Sequence, residues 1–593
     1  MSLSKNNFVI SFAVILFIFG IPLVSGAIFL SLAIYSLLEN RDSRFNFVKS
    51  SLVMTCTWFV WMFPAEFISM PDTVHRIYMI CPVAFVVYRK LSSSTSTFVY
   101  QSFAFGTLTM VVLTALVRLL EKHAGTLLTI IGYGYDNSHH YTLFQFVMQH
   151  NQLPRYSSVP SSEITDLILN YPVGQAALWH IVLSPFQITG LTTSRLITLF
   201  ALMVFLSGLV LGALLFTLVR NMSQPKPTMR KHVMTGIFIY TLIVFGSGGI
   251  LLVGGFPPMI VALILISLIV LLHDQEYLRS KTLLQIFLAG ILALTYSAVA
   301  LPLVAALSIV KAPDLLRLFK VGRKKELIFV SILGVSAMLL TYTIFLPTAN
   351  SWGWNQVLDL GGIQYFPVTL SALGAVITVW ILFLNFRSDK RNLFYPLLLI
   401  FVWISYLLLA LITHHYNDEI TYYAHKQAYN ATVLTIPAAI LLFQKIWSQS
   451  KYWLLNIATL VLLLWSVFQI KITLTVVPAA LDVSSNRSIL GIDGEQILTI
   501  LNTTESPLYV LVGRETDLNS RWINGLNNSW TDAALNIFYW PIETLPNYPE
   551  KLIPFTNLTP PPILVTDDIS NVPETTRVFL ENAGWKILIE PRS

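Results

Sequence analysis

The chain has 593 residues, of which 55% are hydrophobic and only 11% charged, with a mean hydropathy of +0.67. A soluble protein carries about 25% charged residues, so this composition excludes an ordinary soluble domain, and a disordered or collagen-like chain with it. Two cysteines, Cys56 and Cys81, both inside apolar runs, exclude a disulfide scaffold. The net charge of +7 is no nucleic-acid footprint, because the basic residues fall mostly in short loops between apolar stretches.

Apolar stretches of spanning length recur from Phe8 onward. The first, Phe8 to Leu38, is too long for a signal-peptide core and lacks a convincing small-residue cleavage site, so it reads as retained. Further spans are predicted at roughly 51–66, 76–88, 98–120, 194–219, 233–252, 258–273, 283–298, 299–313, 326–346, 367–386, 393–412, 431–447 and 452–471. The pairs over 51–88 and 283–313 are short for two full crossings each. The count is therefore about 13 or 14, and the side of the N-terminus stays open.

Lys and Arg gather in alternate loops: Arg41, Arg44 and Lys49; Arg89 and Lys90; Arg220, Lys226, Arg230 and Lys231; Arg279 and Lys281; Lys311 to Lys325; Arg387, Lys390 and Arg391. The positive-inside bias makes those loops cytoplasmic. Segments 121–193, 347–366 and 413–430, and everything after about 471, then fall outside. The expected fold is a polytopic α-helical membrane body over residues 1–478, followed by a small extracytoplasmic α/β domain over 479–593. In that tail Leu508–Val512, Ile563–Thr566 and Trp585–Ile589 read as strands, and the stretches around Asp532–Tyr539 and Glu574–Ala583 as helices. The expected location is the cell (plasma) membrane.

The outer segment 121–193 carries most of the polar chemistry. It contains Gly132-Tyr133-Gly134-Tyr135-Asp136-Asn137-Ser138-His139-His140-Tyr141, an amphipathic stretch from Thr142 to His150, and the turn Asn151-Gln152-Leu153-Pro154-Arg155. Glu163, Asp166 and the run Asn170-Tyr171-Pro172-Val173-Gly174, ending at Trp179-His180, follow. If 137–150 is helical, Asp136, His139 and His140 stand at i, i+3 and i+4 on one face. The plainer alternative is that Asp136 only caps that helix and the two histidines are solvated.

A span, an outer loop with Tyr-Asp and nearby His, an amphipathic helix, a Leu-Pro turn and Tyr-Pro-x-Gly resemble the GT-C superfamily of polytopic glycosyltransferases, which use lipid-phosphate-linked sugars. Gly254-Gly255-Phe256-Pro257-Pro258 forms a tight outer turn, and Thr421-Tyr422-Tyr423-Ala424-His425-Lys426 resembles the Tyr-Tyr-x-x-Lys stretch of some bacterial members. The resemblance covers the architecture of most of the chain and points to the superfamily rather than to one transferase.

The resemblance implies a lipid-phosphate sugar donor and a glycan, lipid or protein acceptor, with inversion at the sugar. Asp136 stands where the catalytic base is expected, with Glu66 and Asp72 as rivals. Lys426 is the cation for the departing phosphate, and His139, His140, Tyr171 and Tyr423 are further substrate contacts. Asp136-Asn137 stands where some members have an acidic pair, so no cofactor is called for and a divalent cation is left open. Against these readings, Lys426 could snorkel to the headgroups, and Trp352, Trp354, Tyr365 and Phe366 could form an interfacial aromatic belt rather than a sugar platform. Sequons stand at Asn430, Asn486, Asn502, Asn527 and Asn557. The rival function is a lipid or glycan transporter or flippase, for which broken helices or mid-span charges would be expected. A membrane-anchored assembly or adhesion protein would leave the polar 121–193 loop unexplained.

Overall fold

A computed structural model of the chain describes residues 62–68, 115–134, 136–157, 172–183, 191–223, 229–273, 281–320, 368–388, 393–448, 460–467, 494–503, 509–512, 561–566 and 568–589, with a few isolated positions. The predictions over Phe8–Leu38, 76–88, 326–346, the 347–366 aromatics and Asp532–Tyr539 lie outside the described residues, as does Tyr171. The described residues are mostly helical. Among the described residues two helices are long and apolar enough to cross a membrane, Thr193–Met222 and Phe394–Tyr416, and a third span results if one bent pair counts as a single crossing. The chain divides into two compact units.

The first unit gathers residues 1–171, 176–203 and 479–593. It contains α1 (Ala124–Gly132), α2 (Asn137–His150), most of α3 (Gly174–Leu183) and the start of α4 (Thr193–Met222). An aromatic cluster joins three of these. The Phe144 ring meets Trp179 edge-on at 5.9 Å, Trp179 meets Phe200 at 5.5 Å, and Tyr141 meets Phe200 at 5.5 Å. Such edge-to-face geometry suits the ring quadrupoles, and these four side chains are buried. The amphipathic reading of α2 gives way here: every residue from Asn137 to Met148 is buried, including His139, His140, Thr142 and Gln145. Its polar face stays inside because local bonds serve part of it, with Thr142 Oγ1 donating to the Ser138 carbonyl at 2.9 Å and Asn137 Nδ2 to Ile131 O at 2.7 Å.

The tail of this unit holds α13 (Gly494–Thr503), strands β1 (Tyr509–Val512), β2 (Ile563–Thr566) and β3 (Lys586–Ile589), and α14 (Glu574–Asn582). The strands form a parallel sheet in the order β1-β2-β3, Ile563 lying opposite both Tyr509 and Lys586. Central β2 is buried throughout, as a parallel strand reading as an unbroken apolar run should be. The sequence reading had these three strands and the 574–583 helix. It did not have α13, which packs on α1. There Gly494 N–H donates to Thr129 Oγ1 at 3.0 Å, and that hydroxyl donates to Gly125 O at 3.0 Å. A Cβ on Gly494 would collide with the Gly125 carbonyl, so this close approach requires glycine.

The second unit covers residues 172–175 and 204–478. Beyond its part of α4 it contains α5 (Met229–Val244), α6 (Ser247–Val253), α7 (Pro257–His273), α8 (Lys281–Thr295), α9 (Ser297–Lys320), α10 (Val368–Ser388), α11 (Phe394–Asn417) and α12 (Tyr422–Ser448). Helix α12 is its hub, packing on α5, α6, α7, α9, α10 and α11. Helix α11 shows how one helix serves two surroundings. Leu399, Val402, Trp403 and Tyr406 are buried, whereas Ile404, Leu407, Leu408, Leu411 and Ile412 form an exposed apolar stripe. Polar bonds tie its inner face to α12: Trp403 Nε1–H donates to Thr435 Oγ1 at 3.1 Å, and Gln427 Nε2 to Ser405 Oγ at 2.8 Å. The predicted 233–252 span is a broken helix, α5 and α6 meeting at a 49° bend.

Candidate functional site

In the first unit α2 begins where the sequence placed it, with Asp136 at the N-cap. The Asp136 carbonyl accepts the N–H of His140 at 3.2 Å, but its carboxylate makes no capping hydrogen bond. The cause is local. At φ −74° and ψ −11° Asp136 is already helical, whereas a capping side chain needs an extended backbone to swing over the first turn. The carboxylate is therefore not committed to the capping role that the sequence offered as the plain alternative. His139 and His140 follow in the first turn, both buried. Among the described residues no three His, Cys, Asp or Glu side chains gather as a metal set.

The other end of α2 carries a polar chain that the sequence did not disclose. Glu66, on the short 3₁₀ turn Phe63–Phe67, and His180, on α3, are each 1% exposed. The Nδ1 of His180 lies 2.9 and 3.0 Å from the two Glu66 oxygens, and its Nε2 lies 3.1 Å from Oδ1 of Asn151. Asn151 ends α2 in the left-handed region at φ 53°, a conformation asparagine tolerates well. The N–H of Leu153 donates to the Glu66 carbonyl at 3.2 Å, so backbone and side chain fasten the same turn. Glu66 was a rival carboxylate in the sequence reading; His180 and Asn151 had no role there. They lie 114 and 29 residues from their partners, and no local pattern links them. A 14-residue helix is about 21 Å long, so Asp136 and this Glu66–His180–Asn151 chain cannot act on one reacting atom.

In the second unit two stretches that the sequence singled out separately come together. Helix α6 ends at Gly254, and Gly255, at φ 86°, turns the chain sharply into α7. That turn sets Phe256 against the start of α12. The Nζ of Lys426 lies 3.7 Å from the centre of the Tyr422 ring, 4.4 Å from that of Phe256 and 5.5 Å from that of Tyr423. The rings brace one another, Phe256 with Tyr422 at 6.0 Å and Tyr422 with Tyr423 at 5.3 Å. Lys426 is 8% exposed, so its ammonium is held against ring faces rather than lying out on a surface. Its side chain points back over Tyr422, four residues earlier, as helical geometry directs.

One sequence motif is reassigned. Asn430, first residue of the Asn-Ala-Thr sequon, lies inside α12 at 0% exposure and is no glycan acceptor in this fold. No protein-family model matches the chain, and no curated protein matches it.

Proposed function

We propose that this chain is a multi-spanning membrane glycosyltransferase. In this reading about 13 or 14 spans cross the cell membrane, and residues 121–193 and 479–593 lie on the extracytoplasmic side. A sugar passes from a lipid-phosphate-linked donor to a hydroxyl of a glycan, lipid or protein acceptor. The acceptor oxygen attacks the anomeric carbon from the face opposite the phosphate, so the C–O bond to phosphate breaks and the configuration inverts. Asp136 takes the hydroxyl proton, and Lys426 offsets the charge on the departing phosphate. His139 and His140 beside Asp136, and Tyr423 beside Lys426, contribute substrate contacts. Tyr171 belongs to the proposal on sequence alone.

The observation that carries this reading is the enclosure of Lys426 by Phe256, Tyr422 and Tyr423. A lysine that merely snorkels reaches open headgroups, whereas this one is drawn into a built aromatic setting where a cation is kept dry and in place. The Asp136 carboxylate makes no capping hydrogen bond, so the capping alternative does not account for that residue. The 49° break between α5 and α6 favours a second reading, a transporter of a lipid-linked glycan, because broken helices line the sites of such proteins.

The two readings part on one measurement. Purified protein is given a synthetic polyprenyl-phosphate sugar with acceptors of each class, and both sugar–phosphate cleavage and transbilayer movement of the donor are followed. Cleavage with sugar transfer, lost in Lys426→Met and partly regained in Lys426→Arg, is expected of the transferase. Movement of intact donor without cleavage would establish the transporter instead.

A further inference from the structure

Helix α12 buries an unusual number of polar side chains, and nearly all of them are accounted for. Thr432 and Thr435 donate to the carbonyls of Ala428 and Ala431, at 2.8 and 2.7 Å, and Gln427 donates to Ser405. Gln427 leaves only its Oε1 unmet, whereas Asn430 leaves its whole amide unmet. Asn430 is fully buried, and among the described residues neither its Nδ2 nor its Oδ1 has a hydrogen-bond partner. A buried amide left in that state carries its whole desolvation penalty, so folding alone gives no reason to keep it. Its place on the helix supplies one. Tyr422, Lys426 and Asn430 stand at i, i+4 and i+8 on one face, which puts Asn430 one turn, about 6 Å, further along the axis from the caged lysine.

We propose that Asn430 is the inner contact, and Lys426 the outer contact, of one phosphate-bearing lipid head group. This rests on the transferase reading for the role of Lys426 but not on turnover. The chemistry is matched. An ammonium and an amide N–H both donate to phosphate oxygens, and the amide oxygen accepts from a hydroxyl carried beside the phosphate. An apolar ligand would leave the amide as unmet as before. A lipid fits better than a free ion because α12 lies among helices whose outward faces, such as the Ile404–Ile412 stripe of α11, are apolar. A polar group reaches such a layer most readily at the head of an apolar chain.

The test uses the full chain in nanodiscs, a fluorescent polyprenyl-phosphate sugar as probe, and thermal unfolding of the same samples. Asn430→Leu, close in volume, should weaken probe binding at least tenfold. Without ligand its melting temperature should equal or exceed that of the wild type, since an unmet amide has been removed. Asn430→Ala, which introduces no new bulk, should show the same loss of binding. Polyprenyl monophosphate should displace the probe and inorganic phosphate should not. Displacement by phosphatidylglycerol as well would support a phosphate-lipid site and identify bulk lipid as a second source. Wild-type affinity in both variants, a lowered melting temperature of ligand-free Asn430→Leu, or displacement by inorganic phosphate would overturn the assignment. Binding through both residues without sugar transfer would leave it standing and remove the transferase. Transfer by variants of wild-type affinity would do the reverse.

Discussion

The imidazole of His180 and the carboxylate of Glu66 face each other at 2.9 Å across 114 residues of chain, both almost wholly withdrawn from solvent. Removing one member of a buried pair leaves the other without its partner, at a cost of about 3–5 kcal/mol. His180→Leu and Glu66→Leu should each destabilise the fold by that order, while the double variant should lose less than the sum of the two. Denaturant unfolding of the three variants checks this, and strict additivity would show that the contact contributes nothing.

Asp136→Asn separates base from cap. The carboxylate makes no capping bond, so neither Asp136→Asn nor Asp136→Ala should lose the ~1 kcal/mol that a working cap contributes, and Asp136→Asn, which keeps the side-chain size and an accepting oxygen, should stay folded. Turnover should nevertheless fall about 10²–10⁴-fold in Asp136→Asn, because an amide cannot accept the acceptor's proton. Sugar transfer and thermal unfolding on one preparation give both numbers. A normal rate would move the search to the remaining outer carboxylates.

Gly494 and Gly125 face each other where α13 meets α1, yet they should respond differently to alanine. A Cβ on Gly494 strikes the backbone oxygen of Gly125, which cannot move without shifting a helix. A Cβ on Gly125 strikes the carboxylate of Glu495, the far end of a flexible side chain. Gly494→Ala should therefore cost about 1–3 kcal/mol, the range for overpacking, and Gly125→Ala clearly less. Limited proteolysis of the tail in the two variants compares them directly.

His150, half-buried in the last turn of α2 with its ring 4.4 Å from that of Phe146, has its pKa lowered from 6.5 by desolvation. The unfolded chain then takes up a proton at a higher pH than the folded one. Stability should hold above about 6.5, decline as pH falls from there toward the lowered folded value, and level off once both states are protonated. The effect is modest, because the side chain is only partly buried. His150→Gln should flatten this part of a melting-temperature profile taken between about pH 7.5 and pH 5.

Helix positions follow from the sequence because length and hydropathy are local quantities. Thr193–Met222, Pro257–His273, Val368–Ser388 and Phe394–Asn417 occur close to the stretches read as apolar, and the tail strands likewise. Asp136 at the start of α2 was legible for the same reason: a turn residue precedes a helical run. Tertiary structure alone decided which faces meet. Nothing near Glu66 announces His180, and nothing near Lys426 announces Phe256, because each pairing is set by the packing of helices far apart in the chain. The same packing enclosed the polar side of α2, which its periodicity had placed at a surface, and drew Asn430 into the interior of α12 although its sequon suggested an exposed loop. Periodicity marks which face of a helix is polar. Whether that face meets water, lipid or another helix depends on neighbours that no window of sequence contains.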